Sequence, residues 1–329
     1  MKRGFLLGTL VIGGLLAAGV AARQQQPPAP GGARGGPGRG PQAPPTPSAL
    51  AAEKVRDNLY VIRSADPANF TGGNTAVLIR SDGVTLVDTK IPGWGMPLIA
   101  KVKELTDKPV TTIINTHTHF DHVGGNPDFA PTVEIVAQEN TARLMKESNP
   151  VTGLQTGPQP NIFKESGGRG LPTRTFKDRL TLGRGNERVE LYYFGRAHTG
   201  GDAFVLFPAL RVLHTGDAFA AKGVPIMDAN NGGSGVEYAD TLSKAAALPN
   251  VDTVITGHAP VQMTMADLKE YADYNREFVE YVRAAKKAGK NVDDAVKWAV
   301  PDRFLKSGYT QPMPMALRSN AQVVWNELR

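Results

Sequence analysis

The sequence of 329 residues contains no cysteine, and this absence limits how its fold can be held together. Without cysteine no disulfide bond can form, and an N-terminal lipid attached through cysteine is excluded as well. The stability of the fold must therefore come from its hydrophobic core. Any metal ion must be bound by histidine and carboxylate side chains, which are the remaining strong ligands for transition metals.

The first 48 positions lack acidic residues, and their beginning has the three-part layout of a secretory signal peptide. Lys2 and Arg3 form a basic start, and small residues end the segment at Ala22. The apolar run between them, Phe5–Val20, has 16 residues, fewer than the ~20 that a membrane-spanning helix needs. We therefore expect residues 1–22 to be a cleaved signal peptide, which leaves no stable membrane span and implies a periplasmic or secreted protein.

Residues 23–48 consist mostly of proline, glycine, glutamine and alanine, and no aromatic residue occurs between Phe5 and Tyr60. A segment of this composition cannot bury enough apolar surface to offset the entropy lost on ordering. We therefore predict a flexible tether over residues 23–48 and a folded domain, with helices at its C-terminal end, over residues 49–329.

The net charge of +6 is concentrated in the first two segments, because five basic residues and no acidic residue precede residue 49. The predicted domain therefore has a net charge of only +1. Nucleic-acid binding normally requires a strongly basic surface. We expect no nucleic-acid partner and a small molecule as the substrate.

Short apolar segments between polar turns predict strands at 59–62, 75–79, 84–87, 110–114, 133–137, 189–194, 203–207 and 251–256. Apolar residues at helical spacing predict helices at 97–105, 139–145, 236–248 and 264–289. Residues 149–174 are rich in glycine and proline, and they predict a long loop that is either a lid or an ordinary surface excursion. Helices interspersed with apolar strands are typical of sheets covered by helices.

Residues 115–126 read Asn-Thr-His-Thr-His-Phe-Asp-His-Val-Gly-Gly-Asn, directly after a predicted buried strand. On an extended backbone His117 and His119 point the same way, so they can bind one metal ion together. Asp121 and His122 are adjacent in sequence and diverge, so they can reach a second ion. Imidazole and carboxylate ligands suit zinc, and they also suit iron or manganese.

Three further candidate ligands, His198, Asp217 and His258, each follow a predicted strand. Loops that follow strands often gather at one edge of a sheet, where functional side chains converge. We therefore expect these three residues to complete the cluster begun by the four residues above.

This order of motifs, His-x-His-x-Asp-His followed by a histidine, a Thr-Gly-Asp and a Gly-His, resembles the metallo-β-lactamase superfamily over roughly residues 55–265. The resemblance implies an α/β (α+β) fold, a four-layer αββα sandwich with two metal ions at one edge of its sheets. It assigns His117, His119 and His198 to the first ion, Asp121, His122 and His258 to the second, and Asp217 to a bridge between them. It also implies that Asp88 orients the cluster; the alternative role for an aspartate there is to cap the end of a strand.

Asp217 stands where the commonest β-lactamase subclass has a cysteine, so the chain resembles the glyoxalase II-like and lactonase-like branches more closely. The expected reaction is the attack of a metal-bridging hydroxide on the carbonyl of an ester, lactone, thioester or lactam. Asp121 would accept the remaining proton of the hydroxide, and the residual positive charge of two zinc ions would favour anionic substrates. The alternatives are an iron-dependent oxidoreductase of the persulfide dioxygenase type and a β-lactamase proper.

Four further residues are candidates by their position in the sequence alone. His214 precedes the Thr-Gly-Asp motif, and we assign it a supporting role beside the ligands. Lys222, Asn230 and Asn231 follow Asp217 in a loop, and we treat them as candidate contacts to the substrate.

Overall fold

The computed structural model describes residues 45–147, 149–154 and 161–328. The predicted signal peptide and most of the predicted tether lie outside the described residues. Two β-sheets form the centre of the fold, a seven-stranded sheet in the order β1 to β7 and a five-stranded sheet in the order β12-β11-β10-β9-β8. The strands are Leu50–Arg56 (β1), Leu59–Ser64 (β2), Thr75–Ile79 (β3), Val84–Val87 (β4), Val110–Ile114 (β5), Glu134–Gln138 (β6), Arg174–Phe176 (β7), Arg179–Leu182 (β8), Val189–Tyr192 (β9), Phe204–Phe207 (β10), Val212–His214 (β11) and Thr253–Ile255 (β12).

Helices cover the outer face of each sheet. The helices are Gly95–Lys103 (α1), Phe120–Val123 (α2), Glu139–Leu144 (α3), Ile162–Glu165 (α4), Gly235–Ala246 (α5), Met265–Lys287 (α6), Val292–Ala295 (α7), Asp302–Lys306 (α8) and Pro314–Glu327 (α9). Leu98 of α1 packs in the core on the outer side of the first sheet. Leu242 of α5, Tyr271 of α6 and Val324 of α9 pack in the core on the outer side of the second. Within the described part of the chain, no helix is both long and apolar enough to cross a membrane.

The alternation of side chains along the strands explains why both sheets are buried on two faces. In β3, Leu78 packs in the core between the sheets, whereas Val77 packs on the outer side with α1. In β10, Val205 likewise faces the first sheet, whereas Phe204 faces the outer helices. The layers therefore follow the order helix, sheet, sheet, helix, and the predicted αββα sandwich is confirmed.

Strands from both sheets end at the candidate ligands. β4 and β5 run parallel in the first sheet, and β11 and β12 run parallel in the second. Asp88 directly follows β4, and the segment that contains His117 follows β5. Asp217 and His258 each lie three residues beyond the end of their strands, β11 and β12. The topology therefore delivers residues that are distant in sequence to one region of the fold.

The long helix α6 begins and is buried as its sequence predicts. The Thr264 hydroxyl accepts a hydrogen bond from the Asp267 amide, and the Asp267 carboxylate accepts one from the Thr264 amide, which completes a capping box. Leu268, Tyr274 and Val282 lie on the buried face of the helix. The apolar stripe of α6 is therefore core packing.

Two parts of the fold differ from the sequence prediction. Strand β1 has no counterpart in it, because β1 is an edge strand in which only Leu50 is buried and the exposed positions carry two alanines and three charged residues. The predicted loop at 149–174 contains α4, whose four residues are too short to establish a helical period. The last residue of the predicted loop, Arg174, begins β7.

We predict that a protein lacking residues 1–44 unfolds at the same temperature as the full chain, because the sequence predicts a signal peptide and a tether there and not a part of the folded domain. Extending the deletion through Arg56 removes β1 and the burial of Leu50, which should cost at least about 1.5–3 kcal/mol. Thermal and denaturant unfolding of the three proteins measures both effects. Loss of a cooperative transition in the shorter deletion would show that residues 1–44 belong to the fold.

Candidate metal centre

The segment after β5 changes from extended to helical backbone within the His-x-His-x-Asp-His motif. His119 still has extended dihedral angles and precedes the first turn of α2, which carries Asp121 and His122. Successive side chains on a helical turn are about 100° apart. The backbone bends at residues 116–118 and brings the ring centres of His117 and His119 to 4.8 Å from each other, while Asp121 and His122 diverge on α2.

The structure brings all seven candidate ligands into one buried cluster. Three sets of side chains have donor atoms within 4.8 Å of one another: His117, His119 and His198; His117, His122 and Asp217; and Asp121, His122 and His258. The first and third sets are those that the sequence resemblance assigns to two separate ions. The middle set contains Asp217 between them.

Four of the imidazoles are oriented by a hydrogen bond from the nitrogen that faces away from the cluster. The pairs are His117 Nδ1 with Thr116 Oγ1 at 3.0 Å, His119 Nε2 with Asp228 Oδ2 at 2.7 Å, His122 Nδ1 with Asp88 Oδ2 at 2.6 Å, and His198 Nδ1 with the Ile226 carbonyl at 2.7 Å. Such bonds select the tautomer whose other nitrogen keeps its lone pair for a metal ion.

Asp88 orients two of these imidazoles. Its carboxylate accepts hydrogen bonds from His122 Nδ1 at 2.6 Å and from the Thr116 amide and hydroxyl at 2.8 and 2.7 Å. Because the Thr116 hydroxyl donates to Asp88, it is free to accept a hydrogen bond from His117 Nδ1. The structure thus places Asp88 in the orienting position that the resemblance implies, and its backbone has a left-handed φ of 65°.

The donor atoms that face inward fit metal ions. His119 Nδ1 lies 2.9 Å from His198 Nε2, and His122 Nε2 lies 3.3 Å from His258 Nε2. Nitrogen lone pairs at such distances repel each other unless a cation or a proton lies between them. Among the seven candidate ligands, His117 Nε2 and Asp217 Oδ1 are buried without a hydrogen-bond partner. Buried polar atoms without partners are rare, and a bound ion would satisfy both.

Carboxylates control the protonation of the histidines on one side of the cluster. Burial disfavours the charged form of His258, but Asp217 and Asp121 outweigh burial and raise its pKa to about 9. The same two carboxylates, together with Asp88, raise the pKa of His122 well above its ordinary value despite burial. In return, and again against burial, His122 and His258 lower the pKa of Asp121 to about 2.

The opposite balance holds for two histidines of the first set. Burial, together with the neighbouring imidazoles, lowers the pKa of His117 well below its ordinary value. Burial, together with His119, lowers the pKa of His198 to about 4. Both imidazoles are therefore neutral near pH 7, which is the form that binds a metal ion.

Two glycines let the backbone approach the ligands closely. A Cβ atom at Gly257 would lie 1.8 Å from Asp217 Oδ1, and one at Gly73 would lie 2.1 Å from His122 Cε1. Both distances are shorter than any real contact, so any larger residue would displace a ligand. Glycine is therefore required at both positions by the cluster itself.

His214 joins two segments beside the cluster. Its Nε2 donates to the Asn74 carbonyl at 3.2 Å, and its Nδ1 accepts from the Gly216 amide at 3.1 Å. Burial lowers the pKa of His214 to about 4, so that its ring is neutral. The ring supports the turn that carries Asp217, and it belongs to none of the three ligand sets.

The three candidate substrate contacts have different surroundings. Lys222 Nζ lies 2.6 Å from Asp267 Oδ1 and donates to the Ser307 carbonyl at 2.9 Å, so the structure engages it with α6 and the end of α8. Asn230 Nδ2 donates to the Pro150 carbonyl at 2.9 Å. Lys222 and Asn230 lie outside the three ligand sets, and their contact with a substrate stays a prediction.

Asn231 acts on the cluster through Asp228, a residue that the sequence reasoning missed. Asn231 Nδ2 donates to Asp228 Oδ2 at 2.6 Å, and the same oxygen accepts from His119. Hydrogen bonds from His119, Thr152 and Asn231 outweigh burial and hold the pKa of Asp228 well below its usual range. Asp228 is 109 positions from His119, so no local pattern could reveal this pair.

Lys90 is a second residue that the sequence reasoning missed. It is completely buried, and its Nζ donates to the carbonyls of Ile62 at 2.7 Å and Gly73 at 2.6 Å. The Gly73 amide in turn donates to the Asp121 carbonyl at 2.9 Å, and Gly73 abuts the ring of His122. Lys90 therefore fixes the position of Gly73, whose backbone contacts the candidate ligands Asp121 and His122. Burial lowers its pKa to about 7.

Two sheets that end at a cluster of inward-facing histidines and aspartates define a metal-dependent enzyme. The family model of the metallo-beta-lactamase superfamily matches residues 68–258, which include all seven candidate ligands. The chain therefore belongs to the metallo-beta-lactamase superfamily and is a metal-dependent hydrolase in the general sense of that family.

Individual proteins agree with this assignment. The chain is 26% identical over 241 residues to a metallo-beta-lactamase type 2 from Elizabethkingia meningoseptica, which covers 67% of this chain and 85% of the relative. It is 35% identical over 112 residues to the 2,4-dinitroanisole O-demethylase subunit alpha of Nocardioides sp. (strain JS1661), which covers 33% of this chain but only 29% of that relative. A solved metallo-beta-lactamase from Pontibacter korlensis is similar in fold, with a TM-score of 0.56 and 20% identity over 69% of this chain and 99% of the other.

We predict that Lys90→Met lowers the free energy of unfolding by about 2 kcal/mol, because it leaves the buried carbonyls of Ile62 and Gly73 without a donor. The matched control is Lys290→Met, which removes an exposed ammonium and should change stability by less than about 0.5 kcal/mol. Denaturant unfolding of chelator-treated proteins measures both values. Equal stability of the two variants would contradict the role assigned to Lys90.

We predict that zinc binding to chelator-treated protein releases protons and strengthens as the pH rises from 6.5 to about 9. His258 has its pKa raised from 6.5 to about 9, so it is protonated at neutral pH and must lose that proton to bind the ion. Competition with a zinc chelator at several pH values measures the affinity, and calorimetry in two buffers counts the protons. A constant affinity between pH 7 and 9 would contradict the prediction.

Proposed function

We propose that this chain is an exported hydrolase that binds two metal ions, zinc by preference, and cleaves an ester, lactone, thioester or lactam. The observation that carries the proposal is the position of Asp217. Its Oδ1 lies 3.2 Å from His122 Nε2, and its Oδ2 lies 3.2 Å from His258 Nε2 and 3.8 Å from His198 Nε2. One carboxylate thus contacts histidines of both ligand sets, which is the arrangement that a bridging ligand requires.

Two divalent ions bound by these sets would supply Lewis acidity and would lower the pKa of a water molecule shared between them. The residues of the chain would hold the reacting groups in place. Asp121 remains ionised, because His122 and His258 outweigh burial and lower its pKa to about 2. Its carboxylate can therefore act both as a ligand and as the acceptor of a proton in transit.

Charge supports a substrate that carries a carboxylate. Five neutral imidazoles and two carboxylates would leave two divalent ions incompletely neutralised. An anionic group near the scissile bond would be attracted to this excess of positive charge. The domain as a whole is nearly neutral, so the attraction would be confined to the cluster.

The choice among carbonyl substrates rests on Asp217 and on the relatives. An aspartate at this position, in place of the cysteine of the commonest β-lactamase subclass, favours the glyoxalase II-like and lactonase-like branches. The β-lactamase from Elizabethkingia keeps a lactam among the candidate substrates. The demethylase subunit adds 2,4-dinitroanisole as a compound to be tested, although the match covers 29% of that protein.

Export is part of the proposal, and it is supported by the layout of residues 1–22. It favours hydrolysis over the iron-dependent oxidation of thiol-derived substrates that similar ligand sets support. N-terminal sequencing of protein recovered from the producing cell tests the cleavage after Ala22. Elemental analysis of the same material distinguishes zinc from iron or manganese.

A panel of substrates tests the reaction itself. 2,4-Dinitroanisole is an aryl ether without a scissile carbonyl, so it serves as the comparison compound, and cleavage of it alone would contradict the proposed reaction. Zinc-loaded protein should hydrolyse at least one member of a set of 4-nitrophenyl esters, a lactone, a thioester and a β-lactam, at a rate abolished by a chelator and restored by zinc. Activity against none of these, with two ions bound per chain, would overturn the proposed reaction while leaving the metal centre intact.

We predict that Asp217→Asn lowers kcat by at least about 100-fold and reduces the zinc content below that of the wild type, because the bridging charge is lost. Asp217→Cys supplies another anionic ligand and should retain more zinc than the asparagine variant. Asp252→Asn, at an exposed aspartate paired with Arg211, is the matched control and should behave as wild type. If Asp217 only stabilises the turn after Gly216, asparagine should replace it without loss of zinc or rate.

A further inference from the structure

Asn320 is the polar member of the buried face of α9. Leu317, Ala321 and Val324 lie on the same face and pack in the core on the outer side of the second sheet. Asn320 is only 2% exposed. A buried amide costs free energy unless its donor and its acceptor are both hydrogen-bonded. The partners of these two groups therefore explain why an asparagine occupies this position.

Both polar groups of Asn320 bond to one distant segment, residues 225–227. Its Nδ2 donates to the Pro225 carbonyl at 2.8 Å, and its Oδ1 accepts from the Met227 amide at 3.3 Å. These partners are 95 and 93 positions away in the sequence, and they lie on either side of Ile226. Asn320 thus fixes the backbone of Ile226 from both sides.

The peptide group between Ile226 and Met227 connects Asn320 to a candidate ligand. The N–H of this peptide group donates to Asn320, and its carbonyl accepts from His198 Nδ1 at 2.7 Å. Because a peptide group is planar, fixing the direction of its N–H also fixes the direction of its carbonyl. That carbonyl orients the imidazole of His198 and therefore determines where the other ring nitrogen, Nε2, points.

A second contact of α9 supports the backbone next to His198. Glu327 Oε2 accepts hydrogen bonds from Ser234 Oγ and from the Val236 amide, both at 2.9 Å. The Ser234 amide in turn donates to the carbonyl of Ala197, the residue before His198, at 3.0 Å. α9 therefore holds two separate segments that contact the same candidate ligand.

We propose that Asn320 is a positioning residue for the first ion, and that it acts on His198 through the Ile226–Met227 peptide group. Asp228, which orients His119, directly follows this peptide group. Loss of the Asn320 side chain should therefore misplace two of the three ligands of the first ion. α9 lies beyond residue 258, where the match to the family ends. The inference rests on the proposed binding of two metal ions, but it does not depend on the reaction.

Two proteins that each keep one ligand set provide the test. His258→Ala keeps the first set, and His198→Ala keeps the second set, in which Asp88 orients His122. Asn320→Leu is added to each, because leucine has a similar branched shape but makes neither hydrogen bond. Zinc affinity, measured by competition with a chromophoric chelator, should fall by about 10-fold in the His258→Ala protein. It should change by less than about twofold in the His198→Ala protein, because the second set is independent of Asn320.

Two further variants separate positioning from general stability. Gln322→Leu is the matched control, because Gln322 is exposed on α9 and donates to Asn326 of the same helix. It should leave both zinc affinities unchanged. Glu327→Ala removes the second contact of α9 from a half-buried position, and it should weaken binding of the first ion by a smaller factor than Asn320→Leu. Thermal unfolding shows which variants are folded at the temperature of the titration, and Glu327→Ala carries the test if Asn320→Leu does not fold.

The outcomes separate the role of α9 from the reaction. Equal losses of zinc affinity in the two single-set proteins would show that Asn320 only stabilises the fold. Unchanged affinity in both would show that it does not position His198. Either result overturns the proposal, even when the protein hydrolyses a compound of the substrate panel. A loss confined to the His258→Ala protein supports the proposal even when no compound is hydrolysed, and in that case the proposed reaction alone fails.

Discussion

The buried donor atoms of five histidines and two aspartates face one another within a few ångströms, and the rest of the structure is built around this arrangement. Imidazole lone pairs 2.9 and 3.3 Å apart would repel each other without a cation or a proton between them. The cluster therefore stores unfavourable electrostatic interactions that metal binding relieves. Its energy depends on how rigidly the surrounding protein holds each ring.

Several kinds of support supply that rigidity. Asp88 orients His122 directly and His117 through the Thr116 hydroxyl, while Asp228 orients His119. Gly73 and Gly257 allow backbone segments to approach within distances that no Cβ would permit. The Lys90 side chain donates a hydrogen bond to the Gly73 carbonyl and so holds this segment in place. Together these contacts explain why several polar residues around the site are completely buried, since each one is hydrogen-bonded to another part of the site.

The shape of the site follows from the topology. β5, β11 and β12 end in segments that carry candidate ligands, and β4 ends at Asp88, which orients them, so the cluster lies where the two sheets end together. Asp228 contacts both His119 and Thr152, so one carboxylate orients a candidate ligand and holds the segment that contains Thr152.

Much of the fold and of the ligand cluster could be predicted from the sequence, because the signals are local. Short apolar segments between polar turns located β3, β4 and β5 to the residue, and the spacing within the His-x-His-x-Asp-His motif indicated how its side chains diverge. Strand β1 gave no such signal, because an exposed edge strand needs only one buried side chain, Leu50. The short helix α4 was hidden for a similar reason, since a single turn has no period.

Only the tertiary structure decided which residues hydrogen-bond to the candidate ligands and support them. Asp228 contacts His119 across 109 positions, and Lys90 reaches Ile62 and Gly73 through a side chain whose direction the sequence does not specify. Lys222 lies five residues after Asp217, and only the tertiary structure shows that its ammonium pairs with Asp267 of α6. The sequence alone identifies the candidate ligands, because metal chemistry restricts the residue types that can bind an ion. It does not identify the residues that orient those ligands, because any chain segment that folds nearby can supply a hydrogen bond.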